Sequence, residues 1–436
     1  MLLKALRDRE VIRLKQESPE ELEGKGNQPW VLGLIVLALG LLGLVDGYYH
    51  LAHFVSFPSG DDFAFLTNHS LKEAIPDMDW IFSQWGDRRY VLVRLLWWVG
   101  YQFGVRSLDP LVVLSFIFFL GTITNLALLI KRPLGLLFLI PLFSPILFEL
   151  HTWPILISTT MGYFFLTLAA VFAQSNFIVF STISLLLGMA SDGMIVAIAP
   201  VFALIQAIDS KRFTSAGLVT LISLLFFFSY DKSQSAQQAE LTLPWTRDFW
   251  IYFSKHLSIG YGILHNQLIL IQGFFTIFSF LSLGWMAIRY RRHPTLTALA
   301  VAIFAGIVVT ALSRGNLIYD GTPAIPSRYF YYSMLFVPVI GAGWISKRSV
   351  WPIYALLFLI LLRGYWNKWD WSLYEQQASI RMNTINCLIE KTMASEPLIC
   401  PWYAIGEPAP ANQDFTYTIQ SAKEYGYDWS NLQIYR

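Results

Sequence analysis

The chain has 436 residues, 55% of them hydrophobic and only 14% charged, and its mean hydropathy is +0.49. A water-soluble globule carries roughly 25% charged residues, so the composition excludes one and points to an all-α polytopic membrane protein. The formal net charge of +2 averages over two sides of a membrane and names no partner; the expected partner is the bilayer, and no nucleic acid is expected.

The first 29 residues hold Lys4, Arg7, Arg9, Arg13 and Lys15 among acidic residues. They lack the apolar stretch of a signal peptide and read as a short cytoplasmic tail. Apolar segments follow at 30–50, 109–130, 133–150, 154–173, 177–190, 193–208, 214–230, 263–288, 295–312, 329–346 and 349–364. Basic clusters separate them at Lys131–Arg132, Lys211–Arg212, Arg289 to Arg292, and Lys347–Arg348. The positive-inside rule puts all four on the cytoplasmic side with the N-terminus. Even numbers of segments divide the clusters, provided that 90–104 does not span. That stretch falls short of the ~20 residues a spanning helix needs. Its Tyr90, Arg94, Trp97 and Tyr101 form one helical stripe, suited to a juxtamembrane helix lying along the membrane surface. About eleven spans follow, with the C-terminus extracytoplasmic; the alternative is twelve, with Lys131–Arg132 outside.

This topology collects the unusual polar residues on one face. There lie the first loop (53–108), the turns at His151–Trp153 and Asp192, the loops 231–262 and 313–330, and the small C-terminal region 366–436. In that region a helix is expected at 372–393 and a short strand at 397–402. It also holds both cysteines, Cys387 and Cys400, which an oxidising compartment would allow to pair.

Within the first loop, Gly60-Asp61-Asp62-Phe63 places two carboxylates side by side. Adjacent carboxylates raise each other's pKa unless cations or donors compensate. The pair therefore suits a general base, or a metal ligand beside a base; the plainer reading is a helix N-cap. Arg88 and Arg89, in Trp85-Gly-Asp-Arg-Arg-Tyr90, can present a planar fork to phosphate or carboxylate, or face lipid headgroups. Arg314 and Arg328 flank an irregular loop containing Pro323 and Pro326, and Arg328-Tyr329 opens the next apolar helix. His151, Trp153 and Asp192 are candidates for one cavity, and Glu149 points the same way because intramembrane carboxylates are costly. Apart from Glu149 and Asp192, the cores of the spans are read as lacking carboxylates.

One span, an outer loop opening on an acidic pair, then "WGDRRY", a juxtamembrane helix, many short-looped spans and a late "SRY": this order resembles the GT-C class of integral-membrane glycosyltransferases. That class includes mannosyltransferases, aminoarabinose transferases and the oligosaccharyltransferase catalytic subunit. More loosely, the chain is similar to bacterial glucosyltransferase-like membrane proteins with a first-loop acidic pair. The likeness covers 30–365 in architecture, and in residues 60–63, 85–89 and 327–329. "WGDRRY" stands where a W-x-G-R pattern is nearer the family's, which leaves Arg88 and Arg89 both open.

The resemblance implies transfer of a sugar from a polyprenyl phosphate or diphosphate to a glycan, lipid or protein acceptor at the outer face of a cell (inner) membrane. Asp61 or Asp62 would be the base, and the other could hold a divalent cation, Mg or Mn. Arg328 and Tyr329, with Arg314 or Arg88/Arg89, would hold the leaving phosphate; His151 and Trp153 would line the substrate site. The competing expectations are a lipid or sugar transporter or flippase, and another outer-face enzyme such as an acyltransferase, glycan polymerase or ligase.

Overall fold

The computed structural model describes residues 29–58, 68–84, 89–130, 133–211, 213–230, 241–263, 269–290, 293–316, 318–319, 322–323, 325, 327–344, 363, 365, 369–402 and 411–430. Helices dominate. In chain order they are α1 (Pro29–Ala52), α2 (Met78–Phe82), α3 (Val91–Gln102), α4 (Asp109–Ile130), α5 (Pro133–Leu136), α6 (Phe148–Thr152), α7 (Ile157–Gln174), α8 (Ile178–Ser191), α9 (Gly193–Ser210) and α10 (Phe213–Phe228). There follow α11 (Arg247–Ile259), α12 (Ile269–Ile288), α13 (Pro294–Arg314), α14 (Ser327–Trp344), α15 (Ser372–Met393) and α16 (Thr416–Glu424). Two small antiparallel hairpins, β1 (Ile318–Tyr319) with β2 (Thr322–Pro323) and β3 (Ile399–Trp402) with β4 (Ala411–Asp414), are the strands among the described residues.

Among the described residues five helices are long and apolar enough to cross a membrane: Leu32–Ala52, Asp109–Ile130, Pro154–Gln174, Ile269–Ile288 and Pro294–Arg314; Ile178–Ser191, Gly193–Ile208, Phe213–Phe228 and Tyr329–Gly343 are shorter apolar helices. Their outer surface is continuously greasy, with Leu225, Phe227, Phe228, Leu270, Leu281 and Ile288 all exposed. Water would not tolerate so large an apolar surface on a monomer, whereas hydrocarbon favours it. The chain is an α-helical membrane protein.

The core lies where α13 meets α9 and α14. Ala298, Leu299, Ala300, Ala302, Ile303 and Ile307 of α13 are fully buried, the small residues letting helix backbones approach closely. One such approach is forced: a Cβ on Gly260, at the end of α11, would stand 2.3 Å from the Ser333 carbonyl oxygen of α14. Helices α4 and α7 run in the same direction, since Ser115 meets Thr160 (3.0 Å) and, further along, Asn125 donates to Thr167 (3.2 Å).

Two expectations change. The segment 133–150 is no continuous helix. It is α5, a 3-10 run over Leu137–Phe143, a 3-10 turn at Pro145–Leu147, and α6. Pro141 and Pro145 each lack the N–H a helix interior needs. The segment is buried all the same, through Phe138, Leu139, Leu142, Phe143 and Leu147. It starts beside the end of α4 and returns to the level where α1 ends, because Arg381 donates to the carbonyls of both Val55 and Thr152.

The second change concerns α3. Its Tyr90, Arg94 and Trp97 are buried against protein rather than turned to a membrane surface. Trp97 Nε1 donates to the Tyr427 hydroxyl (3.1 Å), and the Tyr101 hydroxyl donates to the Tyr425 carbonyl (3.1 Å). The C-terminal region docks on the Trp97 and Tyr101 part of the stripe, while Arg94 holds the first loop.

The C-terminal region is as expected: a helix at Ser372–Met393 and a strand at Ile399–Trp402, joined by a disulfide between Cys387 and Cys400. It packs on the first loop, with Lys72 paired to Glu424 (2.6 Å) and the Asp428 amide donating to the Arg106 carbonyl (3.2 Å).

Candidate functional site

Helix α1 is apolar except at its far end, where Asp46 and His50 stand one turn apart on the same face. Both are turned into the protein, at 1% and 0% exposure. A carboxylate at this depth corrects the expectation that the spans lack one. From α6, His151 (1% exposed) brings its Nε2 to 3.8 Å from Asp46 Oδ2. That is beyond hydrogen-bond reach. From α15, 328 residues along the chain, the Tyr374 hydroxyl donates to Asp46 Oδ1 at 3.0 Å. Burial, with the Asp46 carboxylate beside it, holds the Tyr374 phenol well above its ordinary pKa, so it remains a donor.

Aromatic rings enclose these groups. His50 stacks on Phe116 (5.4 Å) and meets the edge of His151 (5.4 Å), while Phe119 lies 4.6 Å from the His151 ring and 6.1 Å from Tyr331 of α14. Asp46 Oδ2 and both ring nitrogens of His151 have no hydrogen-bond partner among the described residues. An unpartnered buried polar atom costs about 1–3 kcal/mol, so the cluster is costly to the fold as it stands.

Arg381 seals the rim. Its guanidinium, 5% exposed, donates to the Thr152 carbonyl at 2.6 Å and the Val55 carbonyl at 3.3 Å. It thereby ties the C-terminal region both to the residue after His151 and to the root of the first loop. Further along that loop Arg94 donates to the carbonyls of Trp80 (2.5 Å), Ile81 (3.3 Å) and Ser83. Burial pulls its pKa down to about 10, which leaves it charged at neutral pH. These bonds fix the turn that leads into "WGDRRY".

The sequence candidates are distributed as follows. Asp61, Asp62 and Arg88 lie outside the described residues. Arg89 is occupied at the end of α10, where it donates to the Ser229 hydroxyl (2.7 Å) and carbonyl. Arg314, in the last turn of α13, stacks 5.0 Å over the ring of Tyr329, which opens α14. The Tyr329 carbonyl is held by His256 Nε2 of α11 at 2.9 Å. Arg328 belongs to the first turn of α14, so both flanking arginines sit at the same end of neighbouring helices. Trp153 is the hinge between α6 and the Pro154 turn. Asp192 acts as a helix cap, accepting from the Met194 amide and the Thr159 hydroxyl, both at 2.7 Å.

Among the described residues no three His, Cys, Asp or Glu side chains are arranged to hold a metal ion; the expected ligands of a divalent cation, Asp61 and Asp62, lie outside them. Reasoning from sequence missed Asp46 and His50. Their signal was available: two ionisable residues four apart on one face of an otherwise apolar helix. Tyr374 and Arg381 had no comparable signal. No family model, curated protein or solved structure matches this chain.

Proposed function

We propose that the protein is a membrane glycosyltransferase of the GT-C type. It transfers a sugar from a polyprenyl-phosphate or -diphosphate donor to an envelope glycan, lipid or protein acceptor on the extracytoplasmic face of a cell (inner) membrane. The observation that carries this reading is the layer knitted from the first loop and the C-terminal region over the buried Asp46–His151 cluster. A loop bearing two carboxylates in its sequence is thus rooted at a buried polar cluster between membrane helices, beside the helix that opens with Arg328-Tyr329.

The orientation follows from two supports. The disulfide of the C-terminal region fits an oxidising compartment, and in sequence the basic clusters follow the other ends of α4, α9, α12 and α14, as the positive-inside rule requires. On this path the chain crosses eleven times, the proline-broken segment 133–152 being one crossing and 349–364, largely outside the described residues, another.

The chemistry is an inverting displacement. Asp61 or Asp62 takes the proton as the acceptor O–H bond breaks. The acceptor oxygen bonds to C1 of the sugar from the face opposite the phosphate, and the C1–O bond to phosphate breaks, its electron pair leaving with the phosphate. Arg328 and Arg314 stabilise the charge that develops there. Arg89, already committed to Ser229, is the weakest of the phosphate candidates. Full-length protein in lipid vesicles, given polyprenyl-phosphate hexoses and pentoses labelled in the sugar, tests the reading. Transfer that is lost in both Asp61→Asn and Asp62→Asn supports it, and transfer retained in both overturns it.

A second reading has one observation in its favour. A buried carboxylate and two imidazoles within a helical bundle also suit a proton-coupled carrier of sugar or lipid. Sugar-lipid movement driven by a pH gradient, with no bond made or broken, would identify it.

A further inference from the structure

We propose that Asp46 and His151 form a proton-binding site, one proton being held between Asp46 Oδ2 and His151 Nε2 and exchanged with the face on which the C-terminal region lies. The geometry is specific. The carboxylate uses one oxygen, Oδ1, to accept from Tyr374. The other is turned to His151 at 3.8 Å and has no partner among the described residues, nor has either nitrogen of the imidazole. The gap is about 1 Å longer than a hydrogen bond. With the imidazole N–H on Nδ1, Oδ2 and Nε2 are opposed acceptors; a proton added to either makes a donor and an acceptor, and a small side-chain rotation then closes the gap.

A full charge is costly among Phe116, Phe119 and hydrocarbon. One mobile proton lets the pair remain neutral overall as carboxylic acid and imidazole, or become an ion pair when His151 takes the proton. The step breaks the O–H bond at Asp46 and makes the N–H bond at His151; nothing else is consumed. Buried ionisable groups on the elements packed around the pair are His50 on α1, Glu149 on α6, Tyr329, Tyr331 and Tyr332 on α14, and Tyr374 and Arg381 on α15. Beyond them, where α1 ends, His53 and Glu375 approach to 3.9 Å. Tyr374 and Arg381 belong to the docked C-terminal region, so the route to water runs past them. The site does not depend on glycosyl transfer and would serve an enzyme or a carrier alike.

Infrared difference spectra of the full-length protein in lipid vesicles, between acidic and alkaline buffer, test it. Wild type should show the carbonyl stretch of a protonated carboxyl group that is absent from Asp46→Asn. In Tyr374→Phe, which keeps both proton-binding atoms, the band should move to higher wavenumber because the carbonyl oxygen loses its donor. In His151→Gln the pH at which the band appears should shift. The proposal is overturned if Asp46→Asn retains the full band. It is equally overturned if Tyr374→Phe and His151→Gln both leave the band and its titration unmoved. The latter two variants decide the matter even where Asp46→Asn fails to assemble.

Discussion

Replacing Arg381 with methionine should loosen the entire face that bears the C-terminal region. Methionine keeps most of the packed stem and removes the guanidinium. The Thr152 carbonyl loses a donor at 2.6 Å and the Val55 carbonyl one at 3.3 Å. Hydrogen bonds from a charged donor contribute about 1.5–3 kcal/mol each; the long bond to Val55 belongs at or below the lower end. Relief of a buried charge offsets part of the loss. A net cost of about 3 kcal/mol remains, which is about a hundredfold rise in the population of the undocked region, since 1.4 kcal/mol is a factor of ten. Hydrogen exchange read by mass spectrometry, on protein in lipid, measures this directly. Amides of α15 and of residues 53–58 should exchange about a hundredfold faster, while those of α13 keep their wild-type rates. Exchange in α15 changed by less than threefold would refute the view that Arg381, beside the Tyr374–Asp46 bond, ties the C-terminal region to the bundle.

Breaking the disulfide with Cys387→Ser should destabilise the C-terminal region by about 3 kcal/mol, the loop-closure value for so short a loop; reductant should then lower the melting temperature of wild type but not of the variant. Arg94→Met should remove the guanidinium that joins the carbonyls of Trp80, Ile81 and Ser83 and speed proteolysis of the first loop, with the helical bundle unaffected; a cleavage rate equal to wild type would dismiss Arg94 as the loop's anchor. Stability should also depend on pH through His256, whose pKa burial pushes down to about 4. The unfolded imidazole, near 6.5, binds its proton first, so His256 contributes its full stability above about pH 6.5 and loses it as pH falls towards 4, up to about 3 kcal/mol in all. His256→Gln should flatten that slope in denaturant titrations, and an unchanged slope would show that other groups carry it.

Some of this architecture could be read directly from the residues. The helix at 372–393 and the strand at 397–402 were visible because a polar segment bounded by Trp371 and by Ser395-Glu396-Pro397 has unambiguous ends. The segment 133–150 reads as one helix because its Leu, Phe and Ile outweigh its prolines in any average hydropathy, which takes no account of a missing N–H; three prolines in thirteen residues break it into short helical turns. The stripe on 90–104 is legible in the sequence but the surface it meets is not, since Trp and Tyr are as suited to a protein seam as to a membrane surface. Arg314 and Tyr329, both candidates by sequence, do meet. The pairing of Asp46 with Tyr374, 328 residues apart, is a product of tertiary packing, which no local pattern encodes.

The central claim is that the acidic pair of the first loop and the arginine that opens α14 serve one reacting bond. Free thiols at positions 62 and 328 (Asp62→Cys with Arg328→Cys), treated in lipid vesicles with a bifunctional maleimide of about 10 Å reach, the width of a pocket of ~1,000 Å³, test it most directly. The account predicts an intramolecular crosslink between the two positions. Two thiols that each react singly and never join would contradict it.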